Sequence, residues 1–158
     1  MGKQRTACLA LVAWVLAGPA AAGDREFGTA QEAQAMLARA IAEMNADRRA
    51  AIEKFNHNKP GFRDRDLFVF CFGSSDGIFT AHEGLVARDV RELRDLAGQP
   101  FGAQIFAAAS EQQVAQVSYV SRLPGTTQNV VKDVYVRRAG DQVCGVSVYR
   151  ETAPAHGN

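Results

Sequence analysis

The sequence predicts an α+β domain, an antiparallel sheet with helices on one face. Three observations lead there. A capped apolar stripe at helical spacing runs from Thr29 to Phe55. The run Leu67 to Phe72 is apolar at every position. Three segments between Val114 and Tyr149 alternate or stay apolar and are separated by turn residues.

The helix comes first. Thr29 followed by Glu32 forms a capping box, in which hydroxyl and carboxylate each accept from the other residue's backbone N–H. Ala33, Met36, Leu37, Ala40, Ile41 and Met44 then fall on one stripe. Asn45 or Asp47 interrupts it, and Ala51, Ile52 and Phe55 resume it, which predicts one broken helix or two. The stretch Asn56 to Gly61 (NHNKPG) stops the helix.

Leu67 to Phe72 has no polar face, so it is expected as a central strand. GSSDG (Gly73 to Gly77) is a hairpin turn rich in residues that tolerate positive φ. Ile78 to His82 is the returning strand, with Ile78 and Thr80 on one face and Phe79 and Ala81 on the other. Arg88 to Asp95 reads as a short helix, Gly98 to Pro100 as a turn, and Phe101 to Ser110 as a second helix. Val114 to Arg122, Val130 to Arg138 and Val143 to Tyr149 are the last three strands, broken at Leu123-Pro-Gly125 and Ala139-Gly-Asp141.

The beginning of the chain is not expected in the fold. Lys3 and Arg5 precede the apolar stretch Ala7 to Gly18, and Pro19 to Ala22 supplies small residues for cleavage. This is the pattern of a secretory signal peptide over residues 1–22, too short for a comfortable membrane span. The expectation is a periplasmic or secreted domain, 23–150, with a flexible tail, 151–158, and no transmembrane anchor. Removing residues 1–22 leaves 16 basic against 17 acidic residues, a net −1 in place of +1. Near-neutrality argues against nucleic acid and anionic lipid as partners.

Cys71 and Cys144 remain after cleavage. An exported chain meets an oxidising compartment, which allows one disulfide or two buried thiols. Nothing resembles a zinc motif, and Asp76-Gly77 lacks the acid spacing of a calcium loop. Asp64 and Asp66 in FRDRD each neighbour an arginine, as in a salt-bridged loop. No nucleophile, metal cluster or phosphate loop appears, so neither an enzyme nor a cofactor is predicted.

Three stretches resemble a known family in their order and spacing. GIFTAHEGLVARDVRELRDLAGQPF (Gly77 to Phe101) is similar to a segment of extracellular Cache sensor domains that runs strand, histidine, loop, D-x-x-G-x-P-F. VSYVSRLPGTTQNVVKDVYV (Val117 to Val136) resembles their tyrosine, Pro-Gly, lysine, tyrosine segment, and DQVCGVSVY (Asp141 to Tyr149) their last strand. The likeness runs from about Asp24 to Arg150 and is greatest to the single Cache domain of the second type, in its short secreted form. It implies a PAS-like five-stranded sheet in the order 2-1-5-4-3, with a long N-terminal helix and short covering helices. That order would place Cys71 and Cys144 on neighbouring strands. This chain departs from the pattern at Ala87, where a glycine is common, and at Ser121, where a tryptophan pocket wall is usual.

The resemblance also implies a function: sensing a small metabolite, often a short carboxylate, and passing the signal to a separate partner such as a membrane receptor or histidine kinase. Tyr119, Lys132 and Tyr135 are the site residues it supports. Arg122 joins them by spacing, at the mouth of the same loop. His82, where the family often has a histidine, either pins the loop over the pocket by a hydrogen bond or is a plain strand-end residue. Half-buried packing for the tyrosines and edge protection for the lysine are the structural alternatives. A second function class stays open, a Cache scaffold that binds a receptor or kinase without a ligand.

Overall fold

The computed structural model describes residues 26–150. The expected signal peptide, 1–22, and tail, 151–158, lie outside the described residues. The first helix, α1 (Ala30–Ala46), begins at the expected capping box: Thr29 Oγ1 accepts from Glu32 N–H at 3.2 Å, and Glu32 Oε2 from Thr29 N–H at 2.7 Å. The six predicted stripe residues are all buried. Asp47 makes the break. Its extended backbone ends α1, and its carboxylate accepts from Ala50 N–H at 3.0 Å to cap α2 (Arg48–Asn56).

The strands are β1 (Arg63–Asp64), β2 (Leu67–Gly73), β3 (Phe79–Ala81), β4 (Ala115–Arg122), β5 (Asn129–Ala139) and β6 (Gln142–Tyr149). All pair antiparallel. The path runs β2-β6-β5-β4, with β3 and β1 both on β2. Without β1 this is the order 2-1-5-4-3 that the family likeness implied. The two-residue β1 was not predicted. Its exposed Arg63 and Asp64 carry no apolar signal, and it turns back through Arg65 at φ 53°.

β2 is central, as its double-sided apolarity requires. Leu67, Val69 and Cys71 enter one buried cluster with α1 and α2; Phe70 and Phe72 enter another with Ile105 and Val90. The expectation of helices on one face is therefore corrected. The α1–α2 pair covers one side, and α3 (Phe101–Ala108) with its leading loop covers the other. Cys71 and Cys144 stand directly opposite on β2 and β6, with Cα atoms 4.1 Å apart, and form a disulfide. Beside them Gly145 is required by space. A Cβ there would lie 2.4 Å from the Phe70 ring.

Two further expectations are corrected. The β2–β3 pairing carries a bulge: Cys71 faces Ala81, but Phe72 faces Phe79, leaving Thr80 extra. Phe79 and Ala81 thus enter different clusters, not one face. Over Arg88 to Asp95 only Val90–Glu92 forms a turn of 3₁₀ helix. Asp89 takes the Arg91 N–H at 2.9 Å, and Asp95 takes those of Ala97 and Gln99. Such local bonds compete with helix formation. The preceding stretch instead runs beside β3, with Phe79 N–H donating to Arg88 O at 2.9 Å.

The disulfide closes a span of 73 residues, for which chain entropy suggests about 4 kcal/mol of stabilisation. A Cys71→Ala/Cys144→Ala variant should keep the topology and lose roughly that amount in urea unfolding. A loss well under 1 kcal/mol would show that the two strands are held by packing alone.

Candidate functional site

The two faces of the sheet differ in how fully they are covered. On the α1 side an apolar stripe meets an apolar face. On the other, loops and the short α3 leave a cavity of about 280 Å³. Grooves of about 360 and 440 Å³ at the start of α1 and beside Arg39 and Arg63 mix charged and apolar surface groups. The 280 Å³ cavity is lined by aromatic and aliphatic side chains with a few polar groups among them, the usual make-up of a ligand pocket.

Its floor is the sheet. Phe68 and Phe70 come from β2, Phe79 from β3, Tyr119 from β4, Lys132 from β5 and Ser147 from β6. Its cover is the loop after β3, with His82 and Leu85, then Leu93, Arg94, Phe101 and Ile105. Asp95 fixes that cover to the sheet edge. Its Oδ2 accepts from Val120 N–H of β4 at 3.0 Å, and its Oδ1 closes the loop through Ala97 and Gln99. These bonds, that from Val120 first, hold its carboxyl below the usual range. Phe101 then stacks on Tyr119, with ring centroids 4.3 Å apart and planes 12° apart.

Lys132 is the principal charge. It pairs across strands with Tyr119 on one side and Tyr149 on the other, so all three share the register at one level of the sheet. It is only 8% exposed. Among the described residues its ammonium has no ion pair and no hydrogen bond. It rests 4.2 Å over the Tyr149 ring. Burial pushes its pKa below the ordinary lysine range, and the Asp66 carboxylate partly opposes this. Among the described residues no Asp or Glu lines the pocket. Arg94 adds a second cation at the rim, anchored by donating to Gly98 O at 3.2 Å.

His82 has an aromatic seat. Its ring lies 5.0 Å from Phe79 and 5.3 Å from Phe68, both near edge-to-face. Gly84 N–H donates to Nδ1 at 3.1 Å, which ties the loop down and leaves the proton on Nε2. Burial lowers its pKa to about 4, so the ring is neutral near pH 7. Burial raises the Tyr119 phenol, with Ser147 beside it opposing the shift.

Of the five residues expected at the site, the structure brings together His82, Tyr119 and Lys132. It does not bring Tyr135 or Arg122. Tyr135, 7% exposed, is in the core beneath α1, because an odd step of three along β5 reverses the face relative to Lys132. Arg122 is likewise three residues beyond Tyr119, exposed at the end of β4. Strict alternation, read from Lys132, contains both corrections. Arg94, Ser147 and the phenylalanine floor join the site without having been among the expected residues. Phe68, Phe70 and Phe72 recur every second residue, and that signal was available. Ser121 shares the Tyr119 face but is not among the lining residues. Ala87, the other departure, adopts φ 69°, a conformation that favours glycine.

The His82 environment gives a sign to the pH dependence. A base whose folded pKa is below its unfolded value binds more protons when unfolded, so stability falls as pH drops from about 6.5 to about 4. The loss should be about 2 kcal/mol once partial solvent exposure is allowed for. Thermal melts of His82→Gln should lack this part of the slope. An unchanged slope would show that the ring is not desolvated.

No family model matches the chain, and neither does any curated protein. Solved structures do resemble it. A methyl-accepting chemotaxis protein from Vibrio parahaemolyticus is 19% identical over 75% of this chain and 86% of its own, with a TM-score of 0.56. A periplasmic sensor domain of a chemotaxis protein is 18% identical, over 77% of this chain and 90% of its own, with a TM-score of 0.54. A Cache chemosensory domain described for carboxylic acid recognition is 16% identical, over 77% and 88%, with a TM-score of 0.52. Among the described residues no helix is long and apolar enough to cross a membrane. At these identities the likeness is one of fold: the chain has the PAS-like fold of Cache sensor domains.

Proposed function

We propose that this chain is an exported sensor domain that binds a small carboxylate between the sheet and its covering loops, and signals through a separate membrane receptor or kinase. The observation that supports this most is Lys132, a residue only 8% exposed that lines the apolar cavity and whose ammonium has neither ion pair nor hydrogen bond among the described residues. Burying a charge without a partner is costly. A carboxylate in the cavity would supply the missing partner, with Arg94 at the rim and the Tyr119 hydroxyl as further donors. The phenylalanine walls would take a short apolar tail. A volume of 280 Å³ is about nine water volumes, which suits a metabolite of few heavy atoms. The similarity of fold to a domain that recognises carboxylic acids agrees with this reading. Export rests on the signal-peptide pattern of residues 1–22 and agrees with the periplasmic neighbour.

The test is a thermal-shift screen of the purified protein against short carboxylates, amino acids and amines. A carboxylate at 100 times its dissociation constant should add about 2.7 kcal/mol of stability. Lys132→Ala should abolish the shift. Tyr135→Phe, on the far face, should leave it intact. No shift from any carboxylate would favour the scaffold reading, in which the domain contacts a receptor without a ligand. A shift lost equally in Tyr135→Phe would place the site elsewhere.

A further inference from the structure

We propose that the pocket also takes small aldehydes and ketones, and that the Lys132 amine condenses with them reversibly to form an imine. This rests on the reading of the cavity as an open ligand site and extends it to a second chemical class. Three things keep an ordinary lysine protonated and inert: bulk water, a carboxylate partner and hydrogen-bond acceptors. Lys132 has little of the first, being 8% exposed, and among the described residues none of the other two. What faces its Nζ is the Tyr149 ring at 4.2 Å, with the Asp66 charge beyond ion-pair distance. Burial lowers its pKa, which raises the share of neutral amine.

Geometry adds to this. Lys132 is held mid-strand between Tyr119 and Tyr149 and is one of the residues lining a cavity of about 280 Å³ walled by Phe68, Phe70 and Phe101. A carbonyl compound of a few carbons fits that volume. In the step itself the Nζ lone pair attacks the carbonyl carbon, forming a C–N bond. One amine proton passes to the oxygen to give the carbinolamine, a proton from solvent lets that oxygen depart as water, and the remaining N–H proton returns to solvent. A C=N bond remains. The condensation is redox-neutral and reverses by hydrolysis, as a sensor requires. The lysines available for comparison are few: Lys54 pairs with Glu43, and Lys59 is exposed in the turn after α2.

The experiment is reductive trapping. The purified folded protein is treated with propanal and cyanoborohydride, and the adducts are quantified by peptide mass spectrometry. The expected result is a dominant adduct at Lys132, formed about tenfold faster than at Lys54 or Lys59. The preference should vanish in urea, and Lys132→Arg should lose the adduct while keeping the charge. Equal or slower labelling of Lys132 in the folded protein overturns the proposal. If carboxylates still shift the melting point, that failure leaves the proposed function standing. Selective labelling without any carboxylate shift supports the carbonyl site and refutes the carboxylate reading.

Discussion

A strand without a polar face has to be covered twice. Leu67 to Phe72 places Leu67, Val69 and Cys71 on one side of the sheet and Phe68, Phe70 and Phe72 on the other. Neither set can face water, so β2 becomes central and both sides acquire a layer. The layers are unequal. α1 brings an unbroken stripe of six buried residues against the first face. Over the second face, Asp89 and Asp95 draw the backbone N–H groups that a helix would need. What forms there is a loop-rich cover with one short helix, and a cover of that kind leaves a cavity.

The cavity and the disulfide therefore stem from one cause. A central β2 has β6 as its neighbour, and Cys71 and Cys144 meet across that pair. The bond secures the sheet where both faces are buried. It leaves the loops over the second face to be held by Asp95, by the Phe101–Tyr119 stack and by the His82–Gly84 bond. Backbone bonds add to these, from Leu96 N–H to Val120 O and between β3 and residues 87–88. Lys132 sets the chemistry below it. An apolar residue there would be easier to bury, and a buried titratable group in a pocket is a recognised mark of a functional site. Tyr149 lessens the cost through its ring face, and Asp66 through its charge.

Much of this was legible in the residues. Thr29 and Glu32 give the start of α1, Asp47 is one of the two residues named for its break, and the FVFCF run gives the centre of the sheet. The order of strands came from family likeness; spacing alone does not supply it. The errors have physical sources. A bulge at Thr80 shifts the phase of alternation, and single-sequence periodicity does not reveal bulges. Asp-rich turns imitate a helix in composition while consuming its hydrogen bonds. Family position puts Tyr135 at the pocket, while the alternation of its own strand turns it to the other face. Arg94 reaches the rim only because Asp95 closes its loop, a long-range bond to Val120 that local sequence cannot show.

The claim on which the account turns is that Lys132, largely buried and without an ion pair among the described residues, is poised to take a counter-charge. NMR titration of its side-chain carbon and nitrogen, with Lys54 and Lys59 as internal references, measures this directly. The account predicts that Lys132 titrates below the ordinary lysine range in the free protein. A short carboxylate such as propionate should then move it upward, since a bound anion favours the charged form. A Lys132 that titrates in the ordinary lysine range, and stays in place when propionate is added, would contradict it.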